Sequence, residues 1–127
     1  MILVDTSSWI HLLRPHGDPA VRARVEAALT SGQACWCPVV QLELWNGARG
    51  GRERNVLRRF ADTLPELPIE GDVWQRAYEL ASRSRARGIT VPVTDILIAA
   101  CAAHHGAAIE TADSDFDLLM SVDEATS

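Results

Sequence analysis

The chain contains no lysine; all twelve of its basic residues are arginine. That removes any mechanism that needs an amine side chain. The glycines at 47, 50 and 51 therefore cannot open a phosphate-binding loop, which requires Gly-Lys-Ser/Thr. A phosphoacceptor receiver domain, which wants a lysine partner, is excluded on the same ground. Long apolar runs are also missing. The longest, Ile96 to Ala103, falls far short of the ~20 residues a membrane span needs. Asp5 interrupts the N-terminal apolar run, which argues against a secretory leader. Cysteine is sparse, and Cys35, Cys37 and Cys101 have no second Cys/His pair at zinc spacing. They read as buried thiols of a reducing compartment. There is no internal repeat and no low-complexity segment. The expectation is a soluble, cytoplasmic protein with no membrane partner.

What is present is ordinary for a folded domain. The chain has 127 residues, 47% of them apolar and 23% charged. That is enough for one domain, 1–127, with a real core. The net charge of −5 argues against a generic nucleic-acid coat but allows a local basic surface.

Strand and helix signals alternate. Ile2-Leu3-Val4 is a short apolar run suited to a strand covered on both faces. Ser7 or Ser8 can cap a helix through Leu13, which Pro15-His16-Gly17 ends. Asp18-Pro19 starts a helix with Val21, Val25, Ala28 and Leu29 on one stripe, closed by Gly32. A strand follows from Ala34 to Val40 and leads into a helix carrying Glu43. After a loop at 47–51, a helix runs from about Arg52 to Leu64. Leu67-Pro68-Ile69 is a short third strand or an extended segment. Asp72 caps a helix to Arg87. Asp95 opens an apolar helix ending at Gly106, Ala107 to Ile109 is a strand, and Asp115 to Met120 is a short helix before a fraying end. This alternation specifies an α/β fold with right-handed crossovers: a central parallel sheet of about four or five strands flanked by helices.

Four acids stand in apolar settings: Asp5 after Ile2-Leu3-Val4, Glu43 between Leu42 and Leu44, Asp95 before Ile96-Leu97, and Asp113 in Thr111-Ala112-Asp113-Ser114-Asp115. A carboxylate among apolar neighbours loses solvation and needs a partner, yet no Arg adjoins any of them. All four fall at strand–helix junctions, where open parallel sheets build their sites beyond the carboxyl ends of the strands. Brought together they would repel one another, and a hard divalent cation is the economical compensation. Each also has a plain alternative: Asp5 and Asp95 as helix caps, Glu43 turned to water, Asp113 as a loop residue.

Other features point less sharply. Asp5-Thr6-Ser7 lacks the second Asp of an aspartate-nucleophile phosphatase. Ser7 and Ser8 lack the Gly-x-Ser-x-Gly elbow of a hydrolase. His104 and His105 sit at a helix end, where positive charge is favourable, and His11 lies on the flank of the first helix. Trp9, Trp36, Trp45 and Trp74 are core or interface candidates. Arg49, Arg52, Arg54, Arg58 and Arg59 form a basic cluster after Glu43, either a solvated helix face or a contact for phosphates. Arg83, Arg85 and Arg87 form a weaker one.

Taken in order, Asp5-Thr6-Ser7 after a strand, Glu43 in a helix, Thr94-Asp95 before Ile96-Leu97-Ile98-Ala99, and Thr111-x-Asp113-x-Asp115-Phe116 resemble the PIN-domain ribonucleases. The size resembles the VapC toxins of VapBC toxin–antitoxin pairs. The resemblance implies that Asp5, Glu43, Asp95 and Asp113 hold Mg2+, with Mn2+ as a substitute, and that Asp115 is a ligand or supports one. Thr6, Thr94 and Thr111 would stand behind these acids, and Arg49, Arg52, Arg58 and Arg59 would guide RNA. It further implies a homodimer, a tRNA or rRNA class of substrate cut by water to leave a 5′-phosphate, and inhibition by a cognate VapB-like antitoxin. Two competing functions are a metal-dependent phosphatase on small molecules and a non-catalytic RNA-binding regulatory module. The first would need a specificity cap that 127 residues scarcely allow. The second would be favoured if an acid were missing.

Overall fold

The computed structural model describes residues 1–124. Three strands and seven helices follow in the order β1 (Ile2–Val4), α1 (Thr6–Leu13), α2 (Pro19–Thr30), β2 (Ala34–Cys35), α3 (Pro38–Asn46), α4 (Gly50–Thr63), α5 (Gly71–Ala86), α6 (Val93–His104), β3 (Ala108–Glu110) and α7 (Asp115–Glu124). All pairing is parallel, with β1 central between β2 and β3. Ile2 is opposite Ala34 on one side and Ala108 on the other.

The α/β architecture agrees with the alternation read from the sequence, but the sheet is narrower than four or five strands. The expected strand at Leu67–Ile69 survives as a single parallel bridge between Trp36 and Glu66. Its two bonds run from the Trp36 amide to the Pro65 carbonyl (3.2 Å) and from the Leu67 amide to the Trp36 carbonyl (2.8 Å). Pro65 and Pro68 stand on either side of Glu66-Leu67, and neither can donate to a ladder.

Proline also sets the end of β2. The run Ala34–Val40 was expected to be all strand, but Pro38 occupies the first turn of α3, where its fixed φ is suited to a helix and its missing N–H costs nothing. Cys37 becomes the residue before the helix. Other starts shift by a few residues. Asp5, not Ser7 or Ser8, is at the N-cap of α1. Glu70 precedes α5, leaving Asp72 in its first turn. α4 begins within the expected loop, at Gly50, and α7 continues to Glu124. The frayed end expected beyond it falls on 125–127, outside the described residues. The Asp18 cap matches its reading: its Oδ1 accepts from the Ala20 and Val21 amides at 2.8 and 3.2 Å.

α6 is the central helix. Ile96, Ile98, Ala99, Ala100, Cys101 and Ala102 are all buried, because α5, α7, α3 and β3 pack around it. Its small residues let these neighbours approach closely. Trp9, Trp36 and Phe60 form an aromatic cluster with centroids 5.1–6.3 Å apart, in the tilted and edge-to-face geometries aromatic pairs favour. Trp9 and Trp36 are fully buried, whereas Trp45 and Trp74 are exposed. The three cysteines are free and buried. No described helix is long and apolar enough to cross a membrane.

This framework fixes where the polar residues meet. β1 ends at Val4 and β3 at Glu110, and the Asp5 amide donates to the Glu110 carbonyl (2.9 Å). The loops after both strands therefore leave the sheet side by side. The start of α6 and the middle of α3 close the same edge.

Candidate metal centre

Asp5 is buried at the carboxyl end of β1. Its Oδ2 accepts from the Ser7 hydroxyl (2.7 Å) and the Thr111 hydroxyl (2.9 Å). Thr111 thus ties the loop after β3 to the loop after β1. Glu43 is half-buried in α3, and its Oε1 accepts from the Thr6 hydroxyl at 2.9 Å. Asp113 lies in the turn before α7. Its amide donates to Thr111 Oγ1 (2.9 Å), and its Oδ1 accepts from the Asp115 amide (2.9 Å). Among the described residues, the second oxygen of Asp5, of Glu43 and of Asp113 has no hydrogen-bond partner, and neither oxygen of Asp95 has one. One oxygen fixes each of the three supported carboxylates, and the other is left to bind.

Asp95 is buried in the first turn of α6. Its carboxyl is pushed up from 3.8 to about 6, first by burial and then by the negative charges of Asp5, Asp113, Asp115 and Glu43. Five acids from four parts of the chain therefore share one field. Asp95, Asp113 and Asp115 each offer an oxygen, and these oxygens lie within 4.8 Å of one another. Among the described residues, no ion pair involves any of the five acids. Partial relief comes from the amino ends of α1, α6 and α7, which start at or near Asp5, Asp95 and Asp115. An all-oxygen donor set with unsatisfied lone pairs and mutual repulsion fits a hard divalent cation.

The threonines divide. Thr6 and Thr111 hold Glu43 and Asp5 as described. Thr94 makes no hydrogen bond to any of the acids and instead lines an apolar groove with Trp74, Tyr78 and Leu97. The arginines divide as well. Arg49 and Arg52 line a groove with Arg14 and Arg22. Arg58 lies 5.6 Å over the Trp45 ring and donates to Asn55 (2.7 Å). Arg59 is exposed on α4. The His105 ring is bonded to the Pro68 carbonyl (2.8 Å), so it fastens the end of α6 to the segment between α4 and α5 that pairs with Trp36.

Two residues escaped the sequence reading. Ser7 clamps Asp5 and also accepts from the Ala112 amide (3.1 Å); its position two residues after Asp5 was the available signal. Glu110 is a sixth acid nearby, but it is compensated, by the Ser8 hydroxyl (2.7 Å) and by Arg24 (2.6 Å). Arg24 is distant in sequence, and no local pattern marks that pair.

A parallel α/β sheet with uncompensated carboxylates beyond its strand ends defines a class of oxygen-ligand metal sites. Comparison with known proteins narrows it. The PIN domain family matches residues 2–119. Ribonuclease VapC11 of Mycobacterium tuberculosis is 32% identical over 125 residues, covering 96% of this chain and 93% of that protein. Ribonuclease VapC21 of the same species is 31% identical over 107 residues, covering 82% and 78%. Among solved structures, VapBC-1 from Haemophilus influenzae superposes with a TM-score of 0.74 at 15% identity, over 95% of this chain and 93% of that one. FitAcB from Neisseria gonorrhoeae superposes with a TM-score of 0.73 at 22% identity, over 95% and 94%. The chain belongs to the PIN domain family.

Proposed function

We propose that the chain is a divalent-metal-dependent endoribonuclease, the toxin of a toxin–antitoxin pair, that hydrolyses RNA phosphodiester bonds and so inhibits translation. The observation that carries this reading is the convergence of Asp5, Glu43, Asp95, Asp113 and Asp115 with free carboxylate oxygens and, among the described residues, no cationic side chain paired with them. Relatives named as VapC ribonucleases supply the reaction class, and the whole acid set is present, which weighs against a non-catalytic module.

Asp95, Asp113 and Asp115 would hold Mg2+ or Mn2+, with Asp5 and Glu43 completing the set. The cation would supply positive charge for the phosphate oxygens and lower the pKa of a water. The chain's own residues do the rest. Ser7 and Thr111 hold Asp5 by one oxygen, so the other can orient the attacking water toward phosphorus. Thr6 fixes Glu43 in the same way. Arg49 and Arg52, with no side-chain partner among the described residues, offer forks for the RNA backbone outside the acidic pocket. Hydrolysis by water leaves a 5′-phosphate and a 3′-hydroxyl.

The substrate class is tRNA or rRNA, and a VapB-like antitoxin is the natural inhibitor. A homodimer fits the exposed apolar face of Trp74, Tyr78 and Val93. The test is expression alone and with the neighbouring small open reading frame. The wild-type chain arrests growth, while Asp5→Asn and co-expression each relieve the arrest. An Asp5→Asn variant that arrests growth as strongly as wild type defeats the reading.

A further inference from the structure

His11 lies one helical turn beyond Ser7 on α1, the spacing that puts two side chains on one face. Ser7 touches Asp5, Thr111 and Ala112, so His11 stands over the rim of the acidic site. It lines a groove there with Thr111, Ala112, Asp113 and Asp117.

The ring is held by the turn that follows. The Asp18 amide donates to His11 Nδ1 at 2.9 Å. An amide N–H needs a bare nitrogen, so the neutral ring carries its proton on Nε2. The turn sits tightly on the His11 backbone: a Cβ on Gly17 would lie 1.8 Å from the His11 carbonyl oxygen. Only glycine lets the chain fold back far enough for the Asp18 amide to reach the ring. Nε2–H has no partner among the described residues. The neighbouring acids Glu110 and Asp18 are already engaged, Glu110 by Ser8 and Arg24 and Asp18 by the amides of α2. His11 is thus a fixed, half-buried N–H donor without a partner among the described residues, in the groove that Asp113 and Asp117 also line.

We propose that His11 is an RNA-positioning residue, donating its Nε2–H to a backbone phosphate oxygen of the nucleotide flanking the scissile bond. The inference rests on the ribonuclease reading. It assigns no proton transfer to His11, only a contact that aligns the phosphodiester with the acids.

Two substitutions separate this role from that of a turn fastener. Asn at 11 places an amide oxygen near the Nδ1 position and keeps the acceptor for Asp18, but removes the distal donor. Gln at 11 places an N–H near the Nε2 position. Wild type, His11→Asn, His11→Gln and Asp95→Asn are compared on a 5′-labelled single-stranded RNA that the wild type cleaves, with a thermal melt of each. The expected result is that His11→Asn melts as wild type but has kcat/KM lower by about tenfold or more, the worth of one hydrogen bond to a charged group, carried mainly in KM. His11→Gln recovers most of that loss. A single methylphosphonate in the RNA should weaken wild type at one position and leave His11→Asn unaffected there. His11→Asn cleaving as well as wild type, or His11→Gln doing no better than His11→Asn, overturns the proposal. If Asp95→Asn abolishes cleavage in the same experiment, the ribonuclease reading stands regardless.

Discussion

Replacing Asp95 by Asn should stabilise the metal-free protein while abolishing its activity. Its carboxyl is held at about 6 rather than 3.8 by burial and by four neighbouring acids. The gap corresponds to about 3 kcal/mol of penalty for holding the ionised form in the folded state. Water reaching the site makes 1–3 kcal/mol the range to expect. The folded pKa lies above the unfolded one, so the folded state binds more protons between pH 3.8 and about 6, and stability falls as pH rises through that window. Above it the whole penalty is present. Asn has the shape of Asp without the charge, and Asp95 accepts no hydrogen bond among the described residues that Asn would lose. In a chelator at pH 7.5, Asp95→Asn should therefore melt about 5 °C above wild type, at about 3 °C per kcal/mol for a chain of this size. At pH 4 the two should coincide. With saturating Mg2+ the order should close or reverse, since only wild type gains from binding. RNA cleavage by the variant should fall at least ~10²-fold. Scanning calorimetry at the two pH values, with and without Mg2+, makes the comparison. An Asp95→Asn melting point equal to or below wild type at pH 7.5 without metal would refute the reasoning, because the acids would then not repel one another.

Thr111→Val removes the hydroxyl that holds Asp5 and orders the Asp113 turn; cleavage should fall about tenfold or more, with Thr111→Ser recovering most of it, as read in a single-turnover assay. Arg49→Gln with Arg52→Gln should weaken binding of single-stranded RNA and flatten the slope of log K against log salt by about 1.4, which filter binding across a salt series measures; an unchanged slope returns the pair to a solvated surface. Gly17→Ala should destabilise by about 2 kcal/mol or more, since its Cβ meets backbone rather than a movable side chain; a urea melt matching wild type would show that the turn yields.

The order of elements was legible because periodicity and punctuation are local. Asp18-Pro19 announced α2, and the apolar run after Asp95 announced a buried helix. What failed was also local in form but tertiary in cause. Pro38 fits a strand edge or a helix start, and only packing against α1 and α6 decides. Leu67–Ile69 read as a strand or extended segment, but the prolines at 65 and 68 left one bridge, from Glu66 to Trp36. The acids were visible as carboxylates without cations, and the resemblance ordered them. Their mutual distances were not, because the register of β1 with β3 brings Asp5 to Thr111. The Arg cluster read as one feature, yet Arg58 folds back over Trp45 while Arg49 and Arg52 turn to α1 and α2. Helical spacing alone does not make that distinction.

The uncompensated acids should form one divalent-cation site. Titration of Mn2+ into the metal-free protein, followed by the loss of the free-ion electron paramagnetic resonance signal, tests it most directly. The variants to compare are wild type, Asp95→Asn, Asp113→Asn and Glu110→Gln. Wild type should bind saturably, Asp95→Asn and Asp113→Asn at least ~10-fold more weakly, and Glu110→Gln with wild-type affinity, since that carboxylate is already engaged by Ser8 and Arg24. Equal affinity in all four proteins, or no saturable binding by wild type, would contradict it.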